Sequence, residues 1–312
     1  MSRWMKKASA WLLALVIMAA YMPAQQVQAE GTGWVERDGC TYYLDEEGRR
    51  VYGWYRVDGI PYYFNENGAL ASIWGIDVSE FQGTIDWNKV KNAGCQFAIL
   101  RLGFRSYGAS GYMYEDECFD AYIRGAQAVG IPVGIYFYSQ AITPEEAVAE
   151  AEYVLQTLSK YPAVEFPIAI DIEDTAVSGR VTKANLTQRQ YTDIVLAFCD
   201  RIQQAGYDAM VYSYYSILEH RIYDEEMAPN NIDIWYADYH AYPNTYGGDF
   251  TVWQYSATEG ISGISGNVDK NVATVDYAGR YQDLATRGSL EPLPGEVVDG
   301  NATSRPEMEM LN

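Results

Sequence analysis

The sequence predicts an α/β barrel that is preceded by a small module of β-hairpins. Between residues 73 and 281, short β-branched or aromatic runs alternate with amphipathic helical stretches, a pattern typical of a sheet with helices packed against it. Residues 30–72 contain a 20-residue repeat instead. With 312 residues, the chain is long enough for one large domain and a smaller one.

Residues 1–29 have the features of a secretory signal peptide. Three basic residues lie among the first seven, the apolar run over 8–20 is too short to span a bilayer comfortably, and residues 27–29 resemble a cleavage site. We therefore expect a secreted protein, with an uncleaved anchor as the alternative. Removal of this segment, which has no acidic residue, would change the formal charge from −20 to −23. Because such a surface repels nucleic acids and anionic membranes, we expect neither as a partner after signal cleavage.

The hairpin module consists of two similar units. Trp34 and Trp54 lie 20 residues apart, as do Tyr43 and Tyr63, and an Asp-Gly dipeptide follows each tryptophan. Asp-Gly favours a tight turn between two short strands, so each unit is predicted to be a β-hairpin.

These units resemble the cell-wall-binding repeats of the choline-binding type, in which aromatic side chains of successive repeats enclose a quaternary ammonium group. The resemblance implies that Trp34, Tyr43, Trp54 and Tyr63 contact choline or another wall ligand. A repeat stack normally needs about three units for stability, and this chain has two. The alternative is a hairpin pair that packs on the following domain and binds no ligand by itself.

Residues 73–281 contain the elements of the expected barrel. Strands are predicted at 74–78, 97–102, 133–138, 168–171, 209–212, 232–235, 251–254 and 268–271, and helices at 87–94, 115–129, 144–160 and 187–205. Thr187 is expected to cap the last of these helices. The final strands follow one another without helical patterns, which indicates a barrel whose last third lacks helices. Residues 282–312, rich in Pro, Gly and acidic residues, are predicted to form a flexible tail.

The composition favours carbohydrate as a ligand and gives no sign of a metal site. The 28 tyrosines and 8 tryptophans suit stacking on sugar rings, although exported proteins also have aromatic surfaces for other reasons. With two histidines and four scattered cysteines, we assign no metal and no cofactor. Cys95 could pair with Cys118 or Cys199, and buried free thiols are the alternative.

Four carboxylates fall at or near predicted strand ends, where catalytic groups of parallel barrels lie. They are Asp77, Asp171, Glu173 and Asp269. Because alternate strand residues face the same way, Asp171 and Glu173 should point into one pocket, with Ile172 turned towards the packed side. Two neighbouring carboxylates resist simultaneous ionisation, which raises one pKa and supplies a proton donor. Glycoside hydrolysis commonly uses such a pair.

Several separated motifs, in order over about 200 residues, resemble the family 25 glycoside hydrolases, the Chalaropsis-type lysozymes. They are Gly75-Ile-Asp-Val-Ser-Glu-Phe-Gln-Gly83, Arg101 within Ile-Leu-Arg-Leu-Gly, the segment 134–138, Asp171-Ile-Glu173, and the segments 234–239, 252–255 and 266–269. The resemblance implies a flattened, irregular, TIM-like (β/α)5β3 barrel. It also implies a retaining glycosidase that cleaves the β-1,4 bond between N-acetylmuramic acid and N-acetylglucosamine, assisted by the substrate's 2-acetamido group.

The resemblance also assigns roles to individual residues. It implies Glu173 as the general acid/base and Asp171 as the group that orients the substrate acetamide. Asp77 and Asp269 would line the same pocket, or act only as hydrogen-bonding residues of the barrel rim. The residues expected to bind substrate are Tyr136, Tyr138, Trp235, Tyr239, Gln254 and Arg101, the first four as a stacking floor and Arg101 as an ion-pair partner of a carboxylate. The Tyr-His-Phe expected on the third strand is replaced here by Tyr136-Phe137-Tyr138.

The sequence thus predicts a secreted, monomeric, extracellular or wall-associated hydrolase whose partner is peptidoglycan. One alternative is a wall-binding protein that keeps the barrel without catalysis. Another is a hydrolase of chitin or a different acetamido-glycan. A phage endolysin is a further alternative, against which the signal peptide argues.

Overall fold

The computed structural model describes residues 31–174, 179–243, 246–280 and 284–298. The expected signal peptide at 1–29 lies outside this part of the chain. Among the described residues, no helix combines the length and apolar character needed to cross a membrane.

Two hairpins, a barrel and the helices around it account for the regular structure. The strands are β1 (Gly33–Arg37), β2 (Cys40–Leu44), β3 (Gly53–Val57), β4 (Ile60–Phe64), β5 (Ile73–Val78), β6 (Phe97–Arg105), β7 (Met113–Glu115), β8 (Val133–Tyr138), β9 (Ile168–Asp171), β10 (Ala209–Tyr214), β11 (Ile232–Ala237), β12 (Val252–Glu259) and β13 (Val268–Ala273). The helices are α1 (Trp87–Asn92), α2 (Phe119–Ala128), α3 (Pro144–Leu158), α4 (Arg180–Ala184), α5 (Gln188–Gln204) and α6 (Tyr215–His220). Short 3₁₀ turns lie at Glu80–Gln82, Asp224–Glu226 and Ala228–Asn230.

The strands β5, β6 and β8 to β13 close into a barrel. Neighbours from β5 to β12 run parallel, whereas β13 is antiparallel to both β12 and β5 and completes the ring. Each of the first five barrel strands is followed by at least one helix, and the described residues between β11 and β13 contain none. The predicted (β/α)5β3 barrel is therefore confirmed. The short elements β7, α4 and α6 were not predicted, because they are too brief to show a hydrophobic period.

The predicted cap of helix α5 is also confirmed. The Thr187 hydroxyl accepts a hydrogen bond from the Gln190 backbone N–H, and the Gln190 side chain accepts one from the Thr187 N–H. This reciprocal pair satisfies two donors that the first turn of a helix leaves unpaired. It fixes the helix that packs outside β9 and β10.

Alternate residues of each strand divide the core into an outer and an inner part. In β5, Ile76 and Val78 pack outwards with the helices, whereas Ile73 faces the barrel interior. Near the amino ends of β6 and β9, the rings of Phe97 and Phe166 stack with centroids 4.6 Å apart and fill the interior. The polar residues of the barrel interior lie at the carboxyl ends of the parallel strands and at the amino end of the antiparallel β13.

Each repeat forms the predicted hairpin. In both turns the Asp and the Gly have positive φ, 52° and 76° at Asp38 and Gly39 and 52° and 81° at Asp58 and Gly59. This is the geometry of the two-residue turn that Asp-Gly favours between antiparallel strands. The pairs β1–β2 and β3–β4 are in register over all five residues of each strand.

Residues 284–298 correct the prediction of a flexible tail from residue 282 onwards. Leu293 is buried against Tyr42 of the first hairpin. The buried Arg50 guanidinium donates to the carbonyls of Ser289 and Glu291, both at 2.6 Å, and to the Glu296 carboxylate at 2.8 Å. The composition concealed this packing, since most of its bonds use main-chain carbonyls and need few apolar side chains.

The four cysteines are free thiols, and Cys95 and Cys199 are buried. Burial raises the pKa of the Cys95 thiol to about 12. Of the two alternatives drawn from the sequence, the structure therefore has the free thiols.

Candidate active site

The carboxyl ends of the parallel barrel strands, together with the amino end of β13, surround a polar cleft of about 280 Å³. All four carboxylates singled out from the sequence line it. The complete lining is Asp77, Tyr136, Asp171, Glu173, Tyr212, Trp235, Gln254 and Asp269. A larger depression of about 570 Å³ between α5 and β11 contains one carboxylate, Asp200, and no aromatic ring. Of these two cavities in the described part of the chain, the first is therefore the one that combines several carboxylates with aromatic rings.

Asp77 and Asp269 lie opposite each other on the antiparallel strands β5 and β13. A hydrogen bond links the two carboxyls. Burial raises the pKa of Asp269, and the hydrogen bond to Asp77 opposes that rise, whereas the same bond adds to the rise in the pKa of Asp77. Burial, and then the Asp269 charge, raise the pKa of Asp77 well above its usual range. The pair therefore shares one proton, which rests on Asp77.

Two side-chain amides fix the Asp77 carboxyl. Gln254 Nε2 and Asn271 Nδ2 both donate to Asp77 Oδ2, each at 2.8 Å. The Gln254 oxygen in turn accepts from the phenols of Tyr212, at 2.9 Å, and Tyr239, at 2.8 Å. These partners set the orientation of the Gln254 amide, because its oxygen must face the two phenols.

The Asn271 amide is oriented in the same way. Trp235 Nε1 donates to Asn271 Oδ1 at 2.8 Å, which leaves the amide nitrogen to face Asp77. Asp77 is thus held from two sides by amides that aromatic side chains orient.

Asp171 ends β9 and points into the cleft, while Ile172 turns outwards into the core as predicted. Burial, followed by the charges of Glu173 and Asp77, raises the pKa of Asp171 well above its usual range. Within the described part of the chain, its buried Oδ1 has no hydrogen-bond partner. Since buried polar atoms are nearly always paired, this oxygen is open to a donor from a bound molecule.

Glu173 follows the end of β9 and is half-buried in the same cleft. Burial, and then the Asp269 charge, raise the pKa of its carboxyl. A carboxylic acid whose pKa lies closer to neutral can deliver a proton at the working pH and take it back later. The arrangement therefore offers a proton donor, Glu173, beside an unpaired acceptor, Asp171.

The predicted aromatic residues occupy different depths of the site. Tyr136 lines the cleft and is half-buried, and the Tyr239 ring is exposed at its mouth. Trp235 is only 1% exposed, so it forms the base of the cleft and not an open stacking face. Tyr138 does not line the cleft, and its phenol instead accepts a hydrogen bond from Tyr107 at 3.2 Å.

Arg101 pairs with carboxylates other than the four expected ones. Its guanidinium bonds to Asp116 at 2.7 Å and to Glu80 at 2.9 Å, which corrects the expectation of an ion pair within the site. Its positive charge still partly opposes the rise in the pKa of Asp171. Arg101 thus acts on the site electrostatically from behind the lining.

Most of the barrel, residues 76–264, matches the family model of the glycosyl hydrolases family 25. The chain belongs to this family. Residues 31–72 match the model of the choline-binding repeat.

Relatives of this family 25 member include lysozymes. The autolytic lysozyme of Clostridium acetobutylicum is 26% identical over 227 residues, which make up 73% of this chain and 61% of that protein. Lysozyme M1 of Streptomyces globisporus is 28% identical over 206 residues, or 64% of this chain and 67% of that protein.

Solved structures share the fold. The modular autolysin LytC of Streptococcus pneumoniae is 28% identical, with a TM-score of 0.54, and the match covers 77% of this chain and 57% of that one. A family 25 glycosyl hydrolase of Bacillus anthracis, 20% identical, has the same fold with a TM-score of 0.55 over 73% of this chain and 95% of that one. This chain thus spans less than two thirds of the length of the C. acetobutylicum lysozyme and of LytC.

Two residues of the family 25 site were not predicted from the sequence. Tyr212 lines the cleft at β10, and Asn271 bonds to Asp77 from β13. Asn271 lies two residues after Asp269, so the alternation of side chains along a strand could have placed it on the same face. No motif distinguished Tyr212 from the other tyrosines of the chain, which has 28 in all.

The repeat aromatics of this family 25 protein split into two groups. The Trp34 ring lies 5.1 Å from Tyr43 and 4.9 Å from Tyr62, between the two hairpins. Trp54 contacts Tyr63 at 5.2 Å, but it also packs on the barrel residue Trp253 at 5.1 Å. The two tryptophans at equivalent repeat positions therefore have different surroundings.

Proposed function

We propose that this family 25 protein is a peptidoglycan hydrolase of the lysozyme type. It would cleave the β-1,4 bond between N-acetylmuramic acid and N-acetylglucosamine with retention of configuration. The observation that carries the proposal is the unpaired Asp171 oxygen beside Glu173, whose pKa is raised, in one cleft. The lysozymes and the autolysin among its relatives support the substrate class.

In the first step, Glu173 donates its proton to the glycosidic oxygen and the bond from C1 to that oxygen breaks. The carbonyl oxygen of the substrate's own acetamide attacks C1 from the opposite face and forms a cyclic oxazolinium ion. Asp171 Oδ1, which has no hydrogen-bond partner among the described residues, accepts a hydrogen bond from the acetamide N–H and offsets the positive charge. This is a substrate-assisted variant of the two-carboxylate scheme.

In the second step, water attacks C1 from the face that the leaving group vacated. Glu173, now ionised, takes a proton from that water, the bond from C1 to the acetamide oxygen breaks, and the acetamide returns to its neutral form. Two inversions at C1 give net retention. Asp77 and Asp269 share one proton, and the negative charge left on Asp269 disfavours ionisation of Glu173, so Glu173 stays protonated beforehand.

We further propose a wall ligand for the repeats and a location outside the cell for the protein. The aromatic group of Trp34, Tyr43 and Tyr62 offers ring faces for choline or another wall ligand, whereas Trp54 and Tyr63 lie where the second hairpin meets the barrel. We place the repeat module at 30–72 and the catalytic barrel at 73–281. The protein would act as a secreted monomer, outside the cell or on the wall.

The decisive experiment is digestion of purified peptidoglycan by the wild type and by Glu173→Gln. We expect new N-acetylmuramic acid reducing ends from the wild type and at least a ~100-fold slower release from the variant. New N-acetylglucosamine ends would reject the proposed bond. Equal release by both proteins would reject Glu173 as the acid, and binding without any release by the wild type would indicate a wall-binding protein.

A further inference from the structure

The second hairpin packs on the barrel beside the loop that follows β11. The Trp54 ring stacks on Phe250, with centroids 6.1 Å apart and planes 21° from parallel, and meets the edge of Trp253 at 5.1 Å. Trp253 Nε1 donates to the Asp238 carbonyl at 2.7 Å. The hairpin therefore rests on the residues that hold the start of this loop.

Arg56 of the same hairpin binds the loop directly. Its Nε donates to the Ala241 carbonyl at 2.6 Å, and a terminal nitrogen donates to the His240 carbonyl at 3.4 Å. Its guanidinium lies over the rings of Trp253 and Tyr255, 5.7 and 5.8 Å from their centroids. Main-chain carbonyls and flat rings are partners that the planar guanidinium fork suits better than a lysine does.

The loop so held carries Tyr239 into the site. The Tyr239 phenol, next in sequence to His240, donates to Gln254 Oε1 at 2.8 Å, and Gln254 Nε2 donates to Asp77 Oδ2 at 2.8 Å. Tyr239 as a residue is 59% exposed, so apart from the bond to Gln254 it is held mainly by the loop. Its position depends on the loop main chain.

We infer that Arg56 is a positioning residue of the active site, and that the second repeat braces the catalytic cleft through the loop at 239–241. The inference rests on the proposed function, since it assigns Arg56 an effect on that reaction. It also gives Trp54 a role other than ligand binding, because its ring is engaged by Phe250 and Trp253.

The first repeat provides a natural comparison. Glu36 occupies the position that corresponds to Arg56, two residues after the repeat tryptophan, and it accepts a hydrogen bond from Thr41 within its own hairpin. The arginine of the first hairpin, Arg37, bonds to the Glu291 carboxylate and to the Pro292 carbonyl. Arg37→Ala is therefore a matched control, since it removes a hairpin arginine that touches the 284–298 segment and not the loop.

The test uses the full chain and short soluble strands of alternating N-acetylmuramic acid and N-acetylglucosamine, which carry no choline. We expect Arg56→Ala to lower kcat about five- to tenfold, the typical effect of a misplaced hydrogen-bond donor, with KM changed less than about twofold. Donation from Gln254 lowers the pKa of Asp77, so its loss should also move the pH profile of kcat to higher pH. Arg56→Lys should recover part of kcat, and Arg37→Ala should match the wild type.

Tyr239→Phe separates positioning from loss of fold, since it removes one hydroxyl. If Arg56 acts through that hydroxyl, the double variant Arg56→Ala/Tyr239→Phe should be no slower than the slower single variant. Additive losses, an unshifted pH profile, or equal kcat for Arg56→Ala and wild type would overturn the inference.

Hydrogen exchange makes the result independent of activity. Amides at 238–241 should exchange faster in Arg56→Ala than in Arg37→Ala. If the wild type cleaves no peptidoglycan, the proposed function fails while this measurement still tests the brace. Equal exchange in the two variants would overturn the brace even in an active enzyme.

Discussion

Replacement of Asp171 by Asn tests the role of the unpaired oxygen. The variant keeps the shape of the side chain and removes its charge. A hydrogen bond to a charged acceptor contributes about 1.5–3 kcal/mol, which corresponds to about 10–150-fold in rate. Because the acetamide becomes positive only as the oxazolinium forms, we expect this loss in kcat, with KM nearly unchanged.

The assay is the initial rate of reducing-end release from soluble glycan strands, repeated with strands whose acetamide groups have been removed. De-acetylated strands cannot form the oxazolinium ion, so Asp171→Asn should slow the acetylated strands and not change the residual rate on the others. An equal loss on both substrates would refute the acetamide role. A variant with unchanged kcat on acetylated strands would refute it as well.

The same variant should fold more stably at neutral pH. Burial and neighbouring charges raise the pKa of Asp171, so its ionised form is disfavoured in the folded protein. A carboxyl whose pKa is higher in the folded than in the unfolded state binds its proton more tightly when folded, so the fold loses stability as that proton is released. The wild type loses stability as pH rises from the ordinary carboxyl pKa, about 3.9, towards the raised value. Urea unfolding at pH 4 and 7 should show a smaller decrease for Asp171→Asn than for the wild type.

Two further predictions concern the packing of the hairpins. Arg50→Met should lower the free energy of unfolding by about 3–5 kcal/mol, since it leaves the Glu296 carboxylate and several carbonyls without their buried partner. Arg49→Ala, which removes two ion pairs of an exposed arginine, those to Asp45 and Glu47, should lower the free energy of unfolding by less than about 1 kcal/mol in the same denaturant series. Gly68→Ala should lower the free energy of unfolding more than Gly39→Ala does. Both glycines have positive φ, but a Cβ at Gly68 would come within 2.3 Å of Arg50 Cδ, whereas one at Gly39 meets nothing within 4 Å. Matched melting temperatures for the two alanine variants would contradict the idea that Arg50 cannot move aside.

The barrel could be predicted from the sequence because its signals are local. Strand residues alternate between the helical shell and the interior, and each carboxylate of the site ends or adjoins a strand. Asp171 and Glu173 were placed in one cleft by their spacing alone. The Asp-Gly turns were equally local, since the dipeptide itself favours the positive φ that both hairpins have.

What could not be predicted depends on contacts between distant parts of the chain. Gln254 was expected to bind substrate, but its contact with Asp77, like that of Asn271, exists only once the barrel closes and brings the three side chains together. Arg101 was expected at a site carboxylate, but Asp116 and Glu80 lie closer once the chain folds. Such choices among several acceptors depend on distances of a few ångströms, which a sequence pattern does not contain.

The packing of residues 284–298 on the hairpins has a consequence for the order of folding. Arg50 bonds to Ser289 and Glu296, which lie 239 and 246 residues further along the chain. At about 5–20 residues per second, the ribosome needs roughly 10–50 s to cover that distance, and domains generally fold as they emerge. The barrel strands, complete at Ala273, are therefore free to close before the hairpins, although the hairpins are made first. A nascent chain that stops before residue 284 would contain all the barrel strands, but its aromatic hairpins would lack the segment that covers Tyr42 and binds Arg50. Their exposed apolar surface could then bind other chains.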